Sequence, residues 1–241
     1  MRKNTRNFVF ASAFLMTFLA MAPGCTKTGS TLTTSPVTYL SLINEATYTA
    51  PVSVLLNDTT ATVSGGIAAG SFSSKYGTIR PGNYDVKFKV ASSDSLLSEI
   101  PLAAYDTLNF YTLIVYNTPG GHSANAVRIW DDFSTISTTQ ANYRFFNLCP
   151  DYPNVDLYLN TTQLQNNRTT GDNATNTLLG NFQPVANGVY TISAKVAGTD
   201  SVIASVSQVG LNAGNAYTLF LSGNKNSTNY PLTLNVLQAA Y

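Results

Sequence analysis

Residues 84–90 read YDVKFKV, and residues 190–196 read YTISAKV. Tyr84, Val86, Phe88 and Val90 alternate with Asp85, Lys87 and Lys89, just as Tyr190, Ile192, Ala194 and Val196 alternate with Thr191, Ser193 and Lys195. Successive side chains of a strand point to opposite faces, so this alternation predicts two half-buried β-strands. The second lies 106 residues after the first, and the same offset carries Asp94-Ser95 onto Asp200-Ser201 and FYTLIV (110–115) onto AYTLFL (216–221). Those last two segments are apolar on both faces, as central strands are. Earlier in each unit the offset is 103, carrying Val52, Val54, Leu56 and Asn57 onto Val155, Leu157, Leu159 and Asn160. The chain is therefore an internal repeat whose length differences fall in loops.

Each unit is about 100 residues long, a usual domain size, and contains about seven short apolar runs. Turns such as Pro81-Gly82-Asn83 and Asn212-Ala213-Gly214-Asn215 separate the runs, and no segment has the period of a useful amphipathic helix. The expected fold is all-β: two tandem antiparallel, immunoglobulin-like β-sandwich modules over 37–131 and 141–241, with DFSTISTTQ (132–140) as linker. Modules of this size can bury a sufficient core without disulfides.

The first 24 residues are read as a secretory signal. Arg2, Lys3 and Arg6 precede an apolar run of 15 residues, from Phe8 to Ala22, short of the roughly 20 that span a bilayer as a helix. Ala20-Met21-Ala22 offers a small-x-small cleavage site, but the proline directly after it obstructs cleavage. Ala22-Pro23-Gly24-Cys25 resembles a bacterial lipobox, with Ala22 where leucine is usual and Pro23 in the middle. The expectation is a lipoprotein carrying acyl chains on Cys25, which hold it to the membrane. Residues 26–36, TKTGSTLTTSP, are then a flexible tether of at most about 35 Å. Thr26 stands where retained inner-membrane lipoproteins commonly carry aspartate, so outer-membrane placement is expected, with periplasmic and surface exposure both open.

Removing Arg2, Lys3 and Arg6 leaves 10 basic residues against 12 acidic, so nucleic-acid binding has no electrostatic basis. Charged residues make up 10% of the chain, against about 25% in an average domain. With Cys25 acylated, Cys149 has no partner, which argues against a disulfide framework or thiolate metal site.

FNLCPDYPNVDLYLN (146–160), then NGVYT (187–191), then GNAYT (214–218), together resemble the domain of unknown function family numbered 4397. Its members, found in secreted and cell-envelope proteins, show Ser-Pro-Asp-x-Pro-x-Val-Asp-hydrophobic-Tyr, then Gly-x-Tyr, then Gly-x-x-Tyr-Thr. The resemblance covers the second unit nearly end to end, with Cys149 replacing the small residue before Pro150-Asp151. In the first unit INEATYTAPVSVLL keeps the apolar alternation and Pro51 but lacks both aspartates. The resemblance implies a sandwich fold and export, and no catalytic residues.

Nucleophilic catalysis at Cys149 would need a nearby base, and the single histidine, His122, lies in the other unit. Asp131 and Asp132, as strand neighbours, diverge; Asp151 reads as a turn residue accepting loop amides between Pro150 and Pro153, and Asp156 as outward-facing. No residue set has metal-ligand spacing, and no cofactor is expected. The loops 160–176 and 223–230 are rich in amides and hydroxyls suited to glycans or peptides. Asn166, Asn167, Asp172, Asn224 and Tyr230, the last a stacking face, are the candidate ligand residues. Asp followed by Ser or Thr and an aliphatic or Thr occurs at Thr59, Ser95, Thr107 and Ser201, resembling an O-glycosylation consensus of some Gram-negative periplasms.

These features lead to the expectation of a non-catalytic, lipid-anchored outer-membrane protein of the cell envelope. It would present loops for adhesion or for a glycan or protein ligand, with the membrane as a partner through Cys25. The alternatives are a hydrolase of envelope polymers using Asp151 or Asp156, and a structural spacer or assembly component.

Overall fold

The first repeat supplies β1 (Thr38–Glu45), β2 (Val52–Leu56), β3 (Thr59–Thr60), β4 (Ser71–Phe72), β5 (Gly77–Ile79), β6 (Gly82–Val90), β7 (Leu96–Tyr105), β8 (Phe110–Asn117) and β9 (Ala124–Trp130). The second supplies β10 (Ala141–Asn147), β11 (Asn154–Leu159), β12 (Thr162–Thr169), α1 (Asp172–Thr175), β13 (Gln183–Val185), β14 (Gly188–Val196), β15 (Val202–Leu211), β16 (Ala216–Ser222) and β17 (Thr233–Gln238). This computed structural model describes residues 35–62, 64–120, 122–175 and 177–239. The signal segment 1–24, Cys25 and tether residues 26–34 lie outside the described residues.

Each repeat folds into two sheets. In the first, β3-β2-β6-β7 forms one sheet, while β4-β1-β8-β9, with β5 also paired to β1, forms the other. The second repeats this order as β12-β11-β14-β15 and β13-β10-β16-β17. The all-β sandwich reading therefore holds. One detail lies beyond the period-two pattern, because β1 pairs parallel to β8 and β10 parallel to β16. Parallel neighbours need a crossover connection, and here the excursion through the other sheet provides it.

The offsets of 103 and 106 extend to individual hydrogen bonds. The Asn57 side chain accepts from Asp85 N, and that of Asn160 accepts from Thr191 N. Lys89 pairs with Asp94, and Lys195 with Asp200. Tyr84 and Tyr190 each donate to a backbone carbonyl four residues earlier, on Arg80 and Ala186.

Val86 and Phe88 of β6 pack with Val54, Leu113 and Val115 inside the first sandwich. Ile192 and Ala194 of β14 pack with Leu157, Leu219 and Leu221 inside the second. A third core lies between the modules, formed by Ile43, Ile114, Tyr116, Val127, Ile129, Phe146, Leu148 and Phe220. The β1-β8-β9 and β10-β16-β17 sheets therefore pack against each other, and the molecule is a four-layer stack. This accounts for β8 and β16 being apolar on both faces: one face fills its own sandwich and the other fills the seam.

Ile43 and Phe146 are repeat equivalents, as are Ile114 and Phe220, so each module offers the same face, as in a two-fold dimer interface. Residues 35–241 form one compact unit. Segment 132–140 is packed down rather than strung out. Phe133 stacks on Phe182 and meets Phe110 edge-on, while Asn142 bonds both the N and O of Ser137.

The seam also buries an ion pair. Arg144 Nη1 donates to Asp131 Oδ1 at 2.6 Å, and both side chains are fully enclosed. Asp131 Oδ2 accepts from the Tyr76 and Thr112 hydroxyls, each at 2.6 Å. Arg144 further reaches Thr218 Oγ1, Gly180 O and Thr112 Oγ1. Every partner a buried charge requires is thus present. Burial next to the Asp131 carboxylate holds the Tyr76 hydroxyl protonated far above its ordinary range.

Candidate functional site

At the seam, β1 and β10 run alongside each other in the same sense. Arg144 and Asp131 meet near their starts, Ile43 and Phe146 in the middle, and Thr47, Tyr48, Asp151 and Asn224 past their ends. The molecule therefore has a proximal end, where the chain enters β1, and a distal end about 25 Å away for a strand of eight residues.

The distal end is built by paired turns. Asn44 Oδ1 accepts from Ala46 N, and Asn147 Oδ1 accepts from Cys149 N, both at 3.1 Å. These side-chain turns close both strands in the same way. Beyond them the modules differ. Tyr48 stands 103 residues before Asp151 and so occupies its repeat position. The two side chains meet across the seam, with Tyr48 Oη donating to both Asp151 oxygens at 3.2 Å. The first module thus places at the position of the motif's acid a tyrosine that partners the acid itself. Asp151 Oδ2 also accepts from Lys225 N at 2.7 Å, which fixes loop 223–230 as a turn aspartate would.

The same loop is held from beneath. Thr47 Oγ1 donates to Asn224 Oδ1 at 2.5 Å. Gly223 has φ +86°, and a Cβ there would come within 2.2 Å of Pro231 O, so only glycine fits.

Between the modules at this end lies a cleft of about 260 Å³. Its walls include Thr47 and Gly70 from one module and Ser222, Asn229, Tyr230 and Asn235 from the other, with Glu45 as the one charged lining residue among the described residues. Glu45 is 1% exposed, and its Oε2 has no hydrogen-bond partner. Desolvation raises its pKa to about 8, so at neutral pH it is a carboxylic acid that can donate as well as accept. Leu148 holds the equivalent place in the second module and joins the seam core. An acid where the repeat uses leucine is legible in the sequence, but only once the 103-residue register is applied.

The candidate ligand residues do not form one site. Tyr230 lines the seam cleft, half-buried over Gly70. Asn224 is buried and engaged by Thr47. Asn166 and Asn167 line a separate open depression with Asp156 and Asp200. Asp172 closes the turn before α1, accepting from Thr169 N and Arg168 Nε. Asp156 is on the outer side of its sheet, yet it is buried by a β12 bulge, accepting from Asn167 N at 2.7 Å and Gly198 N at 3.0 Å. Asp131 and Asp132 diverge, the latter bonding Ser134. Thr59, Ser95, Thr107 and Ser201 are all exposed.

Cys149 is fully buried, and desolvation raises its thiol pKa to about 11. His122 stacks on Tyr48 at 3.7 Å. Among the described residues, no group of three or more His, Cys, Asp or Glu could hold a metal ion.

The fold and seam define a protein of two fused β-sandwich repeats. Residues 38–158 and 144–239 each match the family described as Domain of unknown function (DUF4397), and the chain belongs to that family. No curated protein matches the chain.

Proposed function

We propose that the protein is a non-catalytic, lipid-anchored outer-membrane component of the cell envelope, facing the periplasm or the cell surface, that binds a glycan or peptide at its distal seam. The observation that carries this reading is Glu45, buried with its Oε2 unpartnered in a cleft whose lining includes hydroxyls, amides and an aromatic ring. A polar group left without a partner in such a place is costly unless a ligand completes it. The neutral acid suits ligands bearing carbonyl or hydroxyl groups. Chain entry at the opposite end supports presentation away from a membrane anchor.

Glycan and peptide arrays test this with the full chain beside Glu45→Gln and Tyr230→Ala. A hit lost in both variants, with melting curves retained, is the expected result. Binding indifferent to both changes would remove the seam from the account. The spacer reading draws on the packed seam, which makes the molecule a rigid block, and arrays without a single hit would favour it. The hydrolase reading has weaker support, because Asp151 and Asp156 already accept hydrogen bonds from backbone amides.

A further inference from the structure

At the proximal end, the β7–β8 turn reads Asp106-Thr107-Leu108-Asn109, and its repeat equivalent, 106 residues on, reads Asn212-Ala213-Gly214-Asn215. The two turns share their hydrogen bonds. Leu108 N donates to Val37 O at 2.8 Å and Gly214 N to Gln140 O at 2.9 Å, while Asn109 N and Asn215 N close onto Asp106 O and Asn212 O. The third residue is left-handed in both, with φ +77° at Gly214 and φ +63° at Leu108. Glycine takes that conformation freely, whereas leucine is strained in it. Leu108 is moreover 65% exposed.

The neighbouring strand repeats the contrast. Trp130, paired with Tyr111, is 54% exposed, while Gln238 holds the corresponding place beside Tyr217. Leu108 and Trp130 line one cleft of about 260 Å³ with Phe110 and Phe133. Strain and apolar exposure are both unfavourable for an isolated molecule, and at this turn and strand both occur in the first repeat and not at the equivalent positions Gly214 and Gln238 of the second. Such outliers point to function.

We propose that Leu108 and Trp130 form a contact surface that seats the proximal end in the headgroup region of a neutral bilayer. The proposal rests on acylation of Cys25. Eleven residues separate Cys25 from Val37, a reach of at most about 35 Å, and Val37 is hydrogen-bonded to Leu108 itself. The anchored chain therefore enters the fold beside the patch. Tryptophan and leucine suit the membrane–water boundary. The cleft lining carries Asp131 and Asp132 and no basic residue among the described residues, so nothing in it attracts anionic lipid.

Trp130 is the single tryptophan of the chain, so its fluorescence reports the patch alone. The acylated full-length protein would be reconstituted in phosphatidylcholine vesicles with and without brominated acyl chains, acyl labelling and flotation being read separately. The expected result is a blue-shifted Trp130 emission quenched by bromolipid, shielded from aqueous iodide, and not strengthened by added phosphatidylglycerol. Leu108→Gly should melt at a higher temperature than the parent while losing part of the bromolipid quenching, a combination that a merely structural leucine would not give. An acylated, floating chain whose Trp130 is reached by iodide and not by bromolipid overturns the contact and leaves the anchor standing. A chain without acyl label that fails to float overturns the anchor, and the contact with it. Iodide shielding of Trp130 in Cys25→Ala without vesicles would assign the patch to another part of the chain or a second copy, which also overturns the proposal.

Discussion

Glu45 holds a place that the second module gives to Leu148, and its ionisation there is opposed by burial. The ordinary glutamate value of 4.5 is raised to about 8 by desolvation, so the folded state keeps a proton that the unfolded chain releases. Below about pH 4.5 both states are protonated and there is no penalty; between there and about pH 8 stability declines as pH rises, by at most ~1.4 kcal/mol per unit. Above that window both states are ionised and the penalty is complete. Glu45→Gln should flatten this dependence, giving a higher urea midpoint than the parent at pH 8 and a similar one at pH 4. Burial shifts Cys149 in the same direction, leaving a thiol with no accessible thiolate. It should resist aromatic disulfide reagents in native buffer and react at the rate of unfolding, checked by comparing labelling with unfolding kinetics. Cys149 is legible as bland from its lack of a base, whereas Glu45 is visible only against the repeat register and its burial only in three dimensions.

At the scale of the element, the turn 147–153 and the loop 223–230 act as a unit. Asp151 accepts from Lys225 N and from Tyr48 Oη, joining three segments through one side chain. Asp151→Ala should cost about 0.5–1.5 kcal/mol and speed hydrogen exchange at the Lys225 amide while leaving the core strands protected, as exchange measured by NMR would report. A uniform change over all strands would contradict this local role. The turn, its prolines and its aspartate were readable from composition. The tyrosine partner was not, because it lies 103 residues away and the link exists only when the two repeats are stacked.

At the scale of the whole molecule, the modules share a core and a buried ion pair, so they should unfold together. Trp130 emission, which reports the first module, and far-ultraviolet circular dichroism, which reports both, should trace coincident urea transitions. Arg144→Ala would strand the Asp131 carboxylate inside the seam and should cost about 3–5 kcal/mol, with the two signals separating as the modules uncouple. The sequence by itself determined the strands, the repeat and the sandwich class, because alternation and turn residues are local and the 103- and 106-residue offsets reinforce each other. It also marked β8 and β16 as apolar on both faces without saying what covered the second face. Only the tertiary structure decided that the covering surface is the other module, that Arg144 and Asp131 neutralise each other within it, and that Glu45 opens on a cleft between the repeats. Those relations join residues far apart in the chain, and burial, which sets their energetics, depends on surfaces that local pattern does not encode.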